Sequence, residues 1–452
     1  MKAISVLVWA LACLPPAPGA RAQAANSSAG LENLSALIAG RLDAREAGPA
    51  LGLDEVERVA LGENPEIHVA VRRVAMAESH VPAAGTLDDP QFMYRGWGVP
   101  LKQPWDYNAA QNMLMIGQAL PGRGKRSLHT AVAQSDVDMA RVDLAATRLR
   151  VQVEVRKAFY DLLRAQDEIR IHDQHVGIAQ QAIGAARIKY TVGKIPQVEI
   201  LKAQLALTRL AEHMIRFERD AEVARARLNA LLGRDPVESL RVQGEYGLEN
   251  PLPTVDVLEK TAMEGRPDLL EAEAAAEKSR REQAVAKKTY VPDFNVAAGY
   301  MLMPAGSTVR NNYMVEGSVS LPWLNRGKHE AEMAGAAAEI TEKDAELNAT
   351  RNAARGQIQE ALAEAKAAQR LARVYQDSLR QQSEAALHSA VIAYENDQTS
   401  FLDLLDSQMT VVDVDLAWID ALGEFNTRMA DLELAAGAPI EENQTGAEEG
   451  RQ

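Results

Sequence analysis

The chain holds a single cysteine in 452 residues, Cys13, and it lies within the first two dozen residues. A lipoprotein cut before Cys13 would need a good acylation motif. Ala10-Leu11-Ala12 is a poor one, because leucine is expected three positions before the cysteine. If the leader is removed, no thiol and no disulfide remain, which an oxidising compartment permits but does not require. Aromatic residues are only 5% of the chain. A thick globular core would draw on more of them, so the alanine-rich sequence suggests a thin, extended helical object. Beyond Leu14 there is no apolar run long enough for a membrane-spanning helix. Any membrane crossing must therefore be made with strands. Basic residues are outnumbered, 49 to 63, for a net charge of −14, which argues against a nucleic-acid partner. No nucleophile–base pair, zinc spacing or phosphate-binding loop is found. Gly-Arg-Gly-Lys at 123–126 has the wrong spacing for a phosphate loop. Neither catalysis nor a cofactor is expected.

What is present begins with a leader. Lys2, an apolar run from Ile4 to Leu14, the breakers Pro15, Pro16, Pro18 and Gly19, and Ala20-Arg21-Ala22 make a secretory signal peptide of residues 1–22. Cleavage is expected after Ala22, with Ala22-Gln23-Ala24 as a nearby alternative. Residues 23–50 read as an N-terminal extension, and residues 441–452, rich in Glu, Gln and Gly, as a disordered tail.

The two halves between these ends, 51–250 and 251–440, resemble each other at an offset of about 200 residues. ENPEI at 63–67 answers GRPDL at 265–269, and QALPGRGKR at 118–126 answers SLPWLNRGKH at 320–329. YTVGKIPQVEIL at 190–201 answers YENDQTSFLDLL at 394–405, and LNALLGRDP at 228–236 answers LELAAGAP at 432–439. Each half repeats one unit: short helix, strand pair, very long helix, turn, second helix. The strand pairs are expected at 89–99 with 111–120, and at 293–303 with 312–321. In the last strand Tyr313, Val315, Gly317, Val319 and Leu321 share one face, and Glu316, Ser318 and Ser320 the other. That period suits a tilted strand with lipid on one side and water on the other. Phe92, Tyr94 and Trp97 are candidates for an interfacial aromatic girdle. Pro90, Pro121, Pro292 and Pro322 mark the strand–helix corners, where Gly122, Gly124 and Gly327 let the chain turn.

Helices are expected from about Arg123 to Lys189 and from about Lys328 to Ala393, the first about 100 Å long. Val151, Val155, Ala158, Leu162 and Ile169 line one of its faces. Helices of this length need neighbours throughout, as in a coiled-coil cylinder. Four strands per chain cannot close a barrel in lipid. Three chains would bring twelve, although physics alone leaves two or four chains open.

The duplicated unit, the Pro–Gly corners and the Tyr394…Asp403-x-x-Asp406 turn resemble the TolC-type outer membrane efflux proteins. The likeness covers essentially all of residues 51–440. The corners GRGKR and LPWLNRGKH look most like the heavy-metal branch. The resemblance implies a mainly α fold with a small β part: a homotrimeric α-helical barrel topped by a 12-stranded β-barrel in outer-membrane lipid. It implies a passive exit duct that works with a periplasmic adaptor and a proton-driven inner-membrane transporter. It also implies a gate at the periplasmic tip, with Tyr394, Asp403 and Asp406 at matching positions. Aspartates three apart share a helix face and would form acidic rings under threefold symmetry. Thr399 stands where the family's latch arginine is expected, so the latch differs or Lys194 replaces it. Glu199 and Lys202 are the first-repeat counterparts of the aspartates. Thr191-Val192-Gly193, with Asn396 and Asp397 in the second repeat, is the expected adaptor contact. Gly193 reverses the chain at positive φ, a turn that Asn or Asp makes less readily.

Some residues invite a metal reading. His172 and His175 are three apart on a helix, but no third ligand is near. Met93, Met113, Met115, Met301 and Met303 fall in the strands, and apolar packing is the favoured explanation over soft-metal binding. Alternatives to the efflux duct are a type I protein secretion duct, a periplasmic adaptor and a pore-free coiled-coil protein. An adaptor would need one helical hairpin and a split lipoyl-like domain.

Overall fold

The computed structural model describes residues 50–249 and 251–440. The signal peptide, nearly all of the extension and the acidic tail lie outside the described residues. Two short helices open each half: α1 (Leu53–Glu63) and α2 (Pro65–Gly85) in the first, α5 (Val255–Gly265) and α6 (Pro267–Lys287) in the second. The single short helix expected in each half is thus a pair, split at Asn64-Pro65 and Arg266-Pro267. Proline at the first helical position has no N–H to lose and a preset φ. Asn64 caps α2 by accepting from Glu66 N (2.8 Å), and its Nδ2 donates to Leu231 O (2.9 Å). Arg266 takes the same place in the second half and donates to Ala435 O (3.0 Å).

The strands are β2 (Gln91–Trp97), β3 (Gln111–Leu120), β5 (Phe294–Leu302) and β6 (Asn311–Val319). They form one antiparallel sheet in the order β2-β3-β5-β6, and a two-residue parallel pair joins β1 (Ala50–Leu51) to β4 (Arg241–Val242). The β3–β5 pairing fuses the repeats, while β2 and β6 do not pair with each other. Two open edges remain, as the strand arithmetic requires of a sheet completed by other chains.

The register places Tyr94, Leu114, Tyr300 and Tyr313 in one row, and Phe92, Ile116, Ala298 and Val315 in the next. This face is apolar and bare: Tyr313 is 92% exposed and Val315 78%. Alternation puts Trp97 on the other face with Met93 and Arg95, so the expected girdle of Phe92, Tyr94 and Trp97 loses its third member. On that other face Arg95 Nη1 and Glu316 Oε2 meet at 3.4 Å, bridging the two edge strands over the sheet. The sheet is curled with this face concave.

The long helix α3 (Lys125–Thr191) has 67 residues, about 100 Å of rise. It leaves the sheet through Gly124 at φ +86°. Gly122 packs under the other corner: a Cβ there would come within 2.6 Å of Pro292 O. Val151, Val155, Ala158 and Leu162 are fully buried. The predicted stripe drifts after that. Ile169 is only half-buried, and Glu168 is buried in its place, held by Arg164 Nη1 at 2.9 Å. The hairpin returns as α4 (Gln197–Leu231).

The second long helix is not continuous. It runs as α7 (Arg326–Val374), widens into a π-helical turn (Tyr375–Leu379), and resumes as α8 (Arg380–Glu395) before returning as α9 (Phe401–Ala436). Gly327 does not make the second corner. It sits in the first turn of α7 without positive φ, because a 3₁₀ turn from Pro322 to Asn325 already bends the chain.

Candidate functional site

Both hairpins reverse at the end of the molecule farthest from the sheet, and the two reversals share one backbone design. In the first, Gly193 N donates to Tyr190 O (2.9 Å) and Lys194 N to Lys189 O (2.9 Å). In the second, Asp397 N donates to Tyr394 O (3.2 Å) and Gln398 N to Ala393 O (2.8 Å). These bonds satisfy the last carbonyls of each helix and force one residue into left-handed space. Gly193 takes it at φ +75° and Asp397 at φ +53°. Among the described residues Asp397 is the one non-glycine with positive φ. Thr191 Oγ1 donates to Ile188 O (2.7 Å), and Val192 and Asn396 are exposed at the apex.

The helices after the turns start differently. Ser400 caps α9, and Asp403 answers it. Asp403 N donates to Ser400 Oγ (3.2 Å), and Ser400 N donates back to Asp403 Oδ2 (3.2 Å). The Thr399 and Ser400 hydroxyls also donate to Oδ2, each at 2.8 Å. The Thr399 bond first, then the two from Ser400, hold the Asp403 carboxyl below its usual range. Asp403 and Asp406 are both exposed on one face of α9. In the first repeat Pro196 stands where Ser400 does and offers no hydroxyl, and Glu199 Oε2 is buried without a partner.

The two turns are linked by Lys189, a residue outside every sequence motif. Lys189 Nζ lies 3.6 Å from the centroid of the Tyr394 ring and 3.8 Å from Asp397 Oδ1. Tyr394 in turn meets Phe401 with ring centroids 5.9 Å apart. The fully buried Phe401 sits in an apolar cluster with Ile183 and Ala186 of α3 and Ile200 and Ala203 of α4. The cation nearest Tyr394 is thus Lys189. Lys194 is exposed and makes no ion pair among the described residues. Thr399 serves Asp403. The pairing escapes a sequence reading because Lys189 and Tyr394 are about 200 positions apart and Lys189, unlike Tyr394, belongs to no spacing motif.

A polar layer crosses the bundle between the tip and the sheet. His172 Nε2 donates to Leu210 O (2.6 Å). Burial first, then neighbouring His213 and His175, keep its pKa below the ordinary value against the pull of that bond. His175 Nε2 donates to Asp415 Oδ2 (3.4 Å), and Gln408 Nε2 donates to His175 Nδ1 (3.1 Å). Arg380, the first residue after the π-turn, donates to Asp415 Oδ1 (2.9 Å) and stacks 4.0 Å from the Trp418 ring centroid. Burial would raise Asp415, but the bonds from His175 and Arg380 outweigh it and lower its pKa. His175 is thus bonded through both ring nitrogens, and His172 through Nε2 alone, its Nδ1 being buried without a partner. Among the described residues no three His, Cys, Asp or Glu side chains converge on a metal position.

A long, twice-hairpinned helical body ending in a curled strand pair per repeat narrows the comparison with known proteins. The sequence pattern that defines the outer membrane efflux protein family matches residues 58–234 and 258–438. The chain belongs to that family. It is 22% identical over 382 residues to the cobalt-zinc-cadmium resistance protein CzcC of Cupriavidus metallidurans, covering 84% of this chain and 88% of the relative. Its fold matches the outer membrane protein VceC from Vibrio cholerae at a TM-score of 0.70, with 19% identity and coverage of 86% and 97%. It matches CusC at 0.72, with 15% identity and coverage of 87% and 96%. Members of the outer membrane efflux family are transport ducts, not enzymes, with a helical extension in the periplasm. They assemble as homotrimers and work with adaptors and inner-membrane transporters in tripartite pumps. In this outer membrane efflux protein the apolar face of the sheet is bare, and both hairpin turns lie at the far end of the helical body.

Proposed function

We propose that this channel exports divalent metal cations and that its periplasmic tip is a gate pinned by Lys189. The observation that carries the gate is the contact of Lys189 with both Tyr394 and Asp397, because it joins the hairpins of the two repeats at their free ends. A partly exposed cation–π contact is worth about 0.5–1 kcal/mol, and an ion pair to a mostly exposed carboxylate adds little. Three such pins in a trimer make a latch of a few kcal/mol, small enough for a docking partner to release. Thr191, Val192, Gly193, Asn396 and Asp397 form the apex where an adaptor's own hairpins would touch. An adaptor that takes Asp397 away from Lys189 opens the latch.

Asp403 and Asp406 become two acidic rings under threefold symmetry, and Asp403 stays ionised because hydroxyls hold its charge. Such rings concentrate cations and delay multivalent ones. Likeness to the cobalt-zinc-cadmium resistance protein supports metal cations as cargo, with an inner-membrane transporter driven by protons feeding the duct. Deleting the gene should raise sensitivity to cobalt, zinc or cadmium, and unchanged tolerance of all three would end the metal assignment. In planar bilayers Lys189→Met should raise single-channel conductance several-fold. Equal conductance would show that the latch lies elsewhere.

A further inference from the structure

The face of the sheet that carries the Arg95–Glu316 pair cannot meet lipid, where charged side chains cost several kcal/mol at mid-depth. In a channel it must therefore line the bore. Such a surface is ordinarily polar, yet Met93, Met113, Met115, Met301 and Met314 all stand on it. They pack on one another with Ala297 as their one other close companion in the cluster. Met93 faces Met115 across β2–β3, and Met113 faces Met301 across β3–β5. Met303, past the strand end, is not part of the cluster. Packing against a core is the reason methionine usually enters a strand, but here the cluster consists of strand residues alone.

The strands make room for these side chains. A Cβ on Gly117 would lie 2.8 Å from Met93 Cε, and one on Gly299 2.8 Å from Met115 Cγ. Glycine weakens a strand interior; Gly117 leaves room for the Met93 side chain, while at Gly299 the close backbone of β3 is met first, Leu114 O lying 2.1 Å from a Cβ there. One sulfur already accepts a polar partner: Gln111 Nε2 donates to Met301 Sδ.

We propose that this lumenal methionine belt is a weak site for soft monovalent cations, copper(I) and silver(I). The proposal rests on the reading of the chain as a channel. Thioethers are soft, neutral ligands that favour copper(I) and ignore oxygen-loving ions. They carry no proton to lose, so loading would not depend on pH. Several equivalent sulfurs per chain let an ion pass from one to the next, and conduction needs sites that are many and weak.

The test uses the full-length channel in planar bilayers with nitrate electrolyte and silver nitrate as the probe. Silver should reduce the potassium current of the natural channel. A variant carrying Met93→Leu, Met113→Leu, Met115→Leu and Met301→Leu keeps volume and apolarity, so its potassium conductance should be unchanged. The silver concentration for half-block should rise at least tenfold, while the effect of zinc nitrate stays the same in both. Equal silver block in both proteins, or none in the natural one, overturns the proposal and leaves the channel intact. Absence of any potassium current would instead remove the channel reading and this proposal with it. Should the variant fail to assemble, X-ray absorption at the silver edge of the loaded natural channel decides. Sulfur neighbours support the belt, and a shell of oxygen or nitrogen alone refutes it.

Discussion

The two hairpin tips are built on the same hydrogen bonds and from opposite chemistry. Gly193 and Asp397 hold the same left-handed position, and matching amides close both turns. The first tip then presents Lys189, Pro196 and a buried, unpartnered Glu199 oxygen. The second presents Asp397, a Ser400–Asp403 capping box and the exposed Asp406. Duplication supplied one backbone solution. Divergence then gave the cation to one copy and the anions to the other, which lets a single chain pin its own tip.

The largest test of that comparison lies at the sheet-side ends of the same hairpins. Arg266 and Asn64 occupy equivalent buried places, but Arg266 carries a charge and also bonds Asp268 at 2.7 Å, as well as Gln357. Arg266→Ala should cost about 3 kcal/mol, in line with hydrogen bonds to a charged group left unmade. Asn64→Ala should cost about 1 kcal/mol, a normal cap loss. Denaturation of the trimer in detergent would read both, and equal losses would mean that the repeats use this position alike.

At the turns the signs should oppose. Gly193→Val should destabilise the tip by about 1–2 kcal/mol, because a β-branched side chain is forced into left-handed space. Asp397→Gly should relieve local strain there while cutting Lys189 from its carboxylate, so turn stability and gate closure move in opposite directions. Hydrogen exchange of the tip amides and bilayer conductance would separate the two effects. A smaller gain is expected from Pro196→Ser. It sets a hydroxyl three residues before Glu199 and so rebuilds the second repeat's capping box in the first. Stability should rise by about 0.5–1 kcal/mol, an ordinary cap contribution, and no change in amide protection at the start of α4 would show that the box does not transfer.

The smallest effect expected is one of pH. Burial holds the His172 pKa in the folded state below its ordinary value of about 6.5. Its stabilising contribution is therefore full above about pH 6.5 and lost as pH falls below it, because the unfolded chain takes up the proton first. His213 and His175 lie beside it and help to lower that pKa. A thermal melt should weaken from pH 7 to pH 5, and less steeply in His172→Gln, whose amide can still reach Leu210 O. Parallel slopes would assign the effect to other groups.

Much of the scaffold was legible because its signals are local. Proline at the corners, glycine at 193 and period-two alternation in β6 each act within a few residues. Legibility failed where the cause was distant or structural. Gly327 makes no corner because a 3₁₀ turn already bends the chain, whereas the separation of Trp97 from Phe92 and Tyr94 follows from local strand parity. Glu168 entered the buried stripe only because Arg164 accompanies it. The capping box was readable as Ser-x-x-Asp at 400–403. Lys189 was not, since its partners belong to the other repeat.

The π-turn at Tyr375–Leu379 has a consequence for the length of the chain itself. A π-turn amounts to one residue inserted into an α-helix, which rotates everything below it by about 100°. Deleting one residue from 375–379 would give a smoother helix and a stronger local ladder. It would also swing Tyr394 and Asp397 about a quarter-turn away from Lys189 and carry Arg380 off Asp415. The bulge therefore works as a phase setter between two coiled segments. A deletion that improves the helix should uncouple the tip, whereas one made in the exposed upper stretch of α7 would have to be absorbed before it reaches the turn.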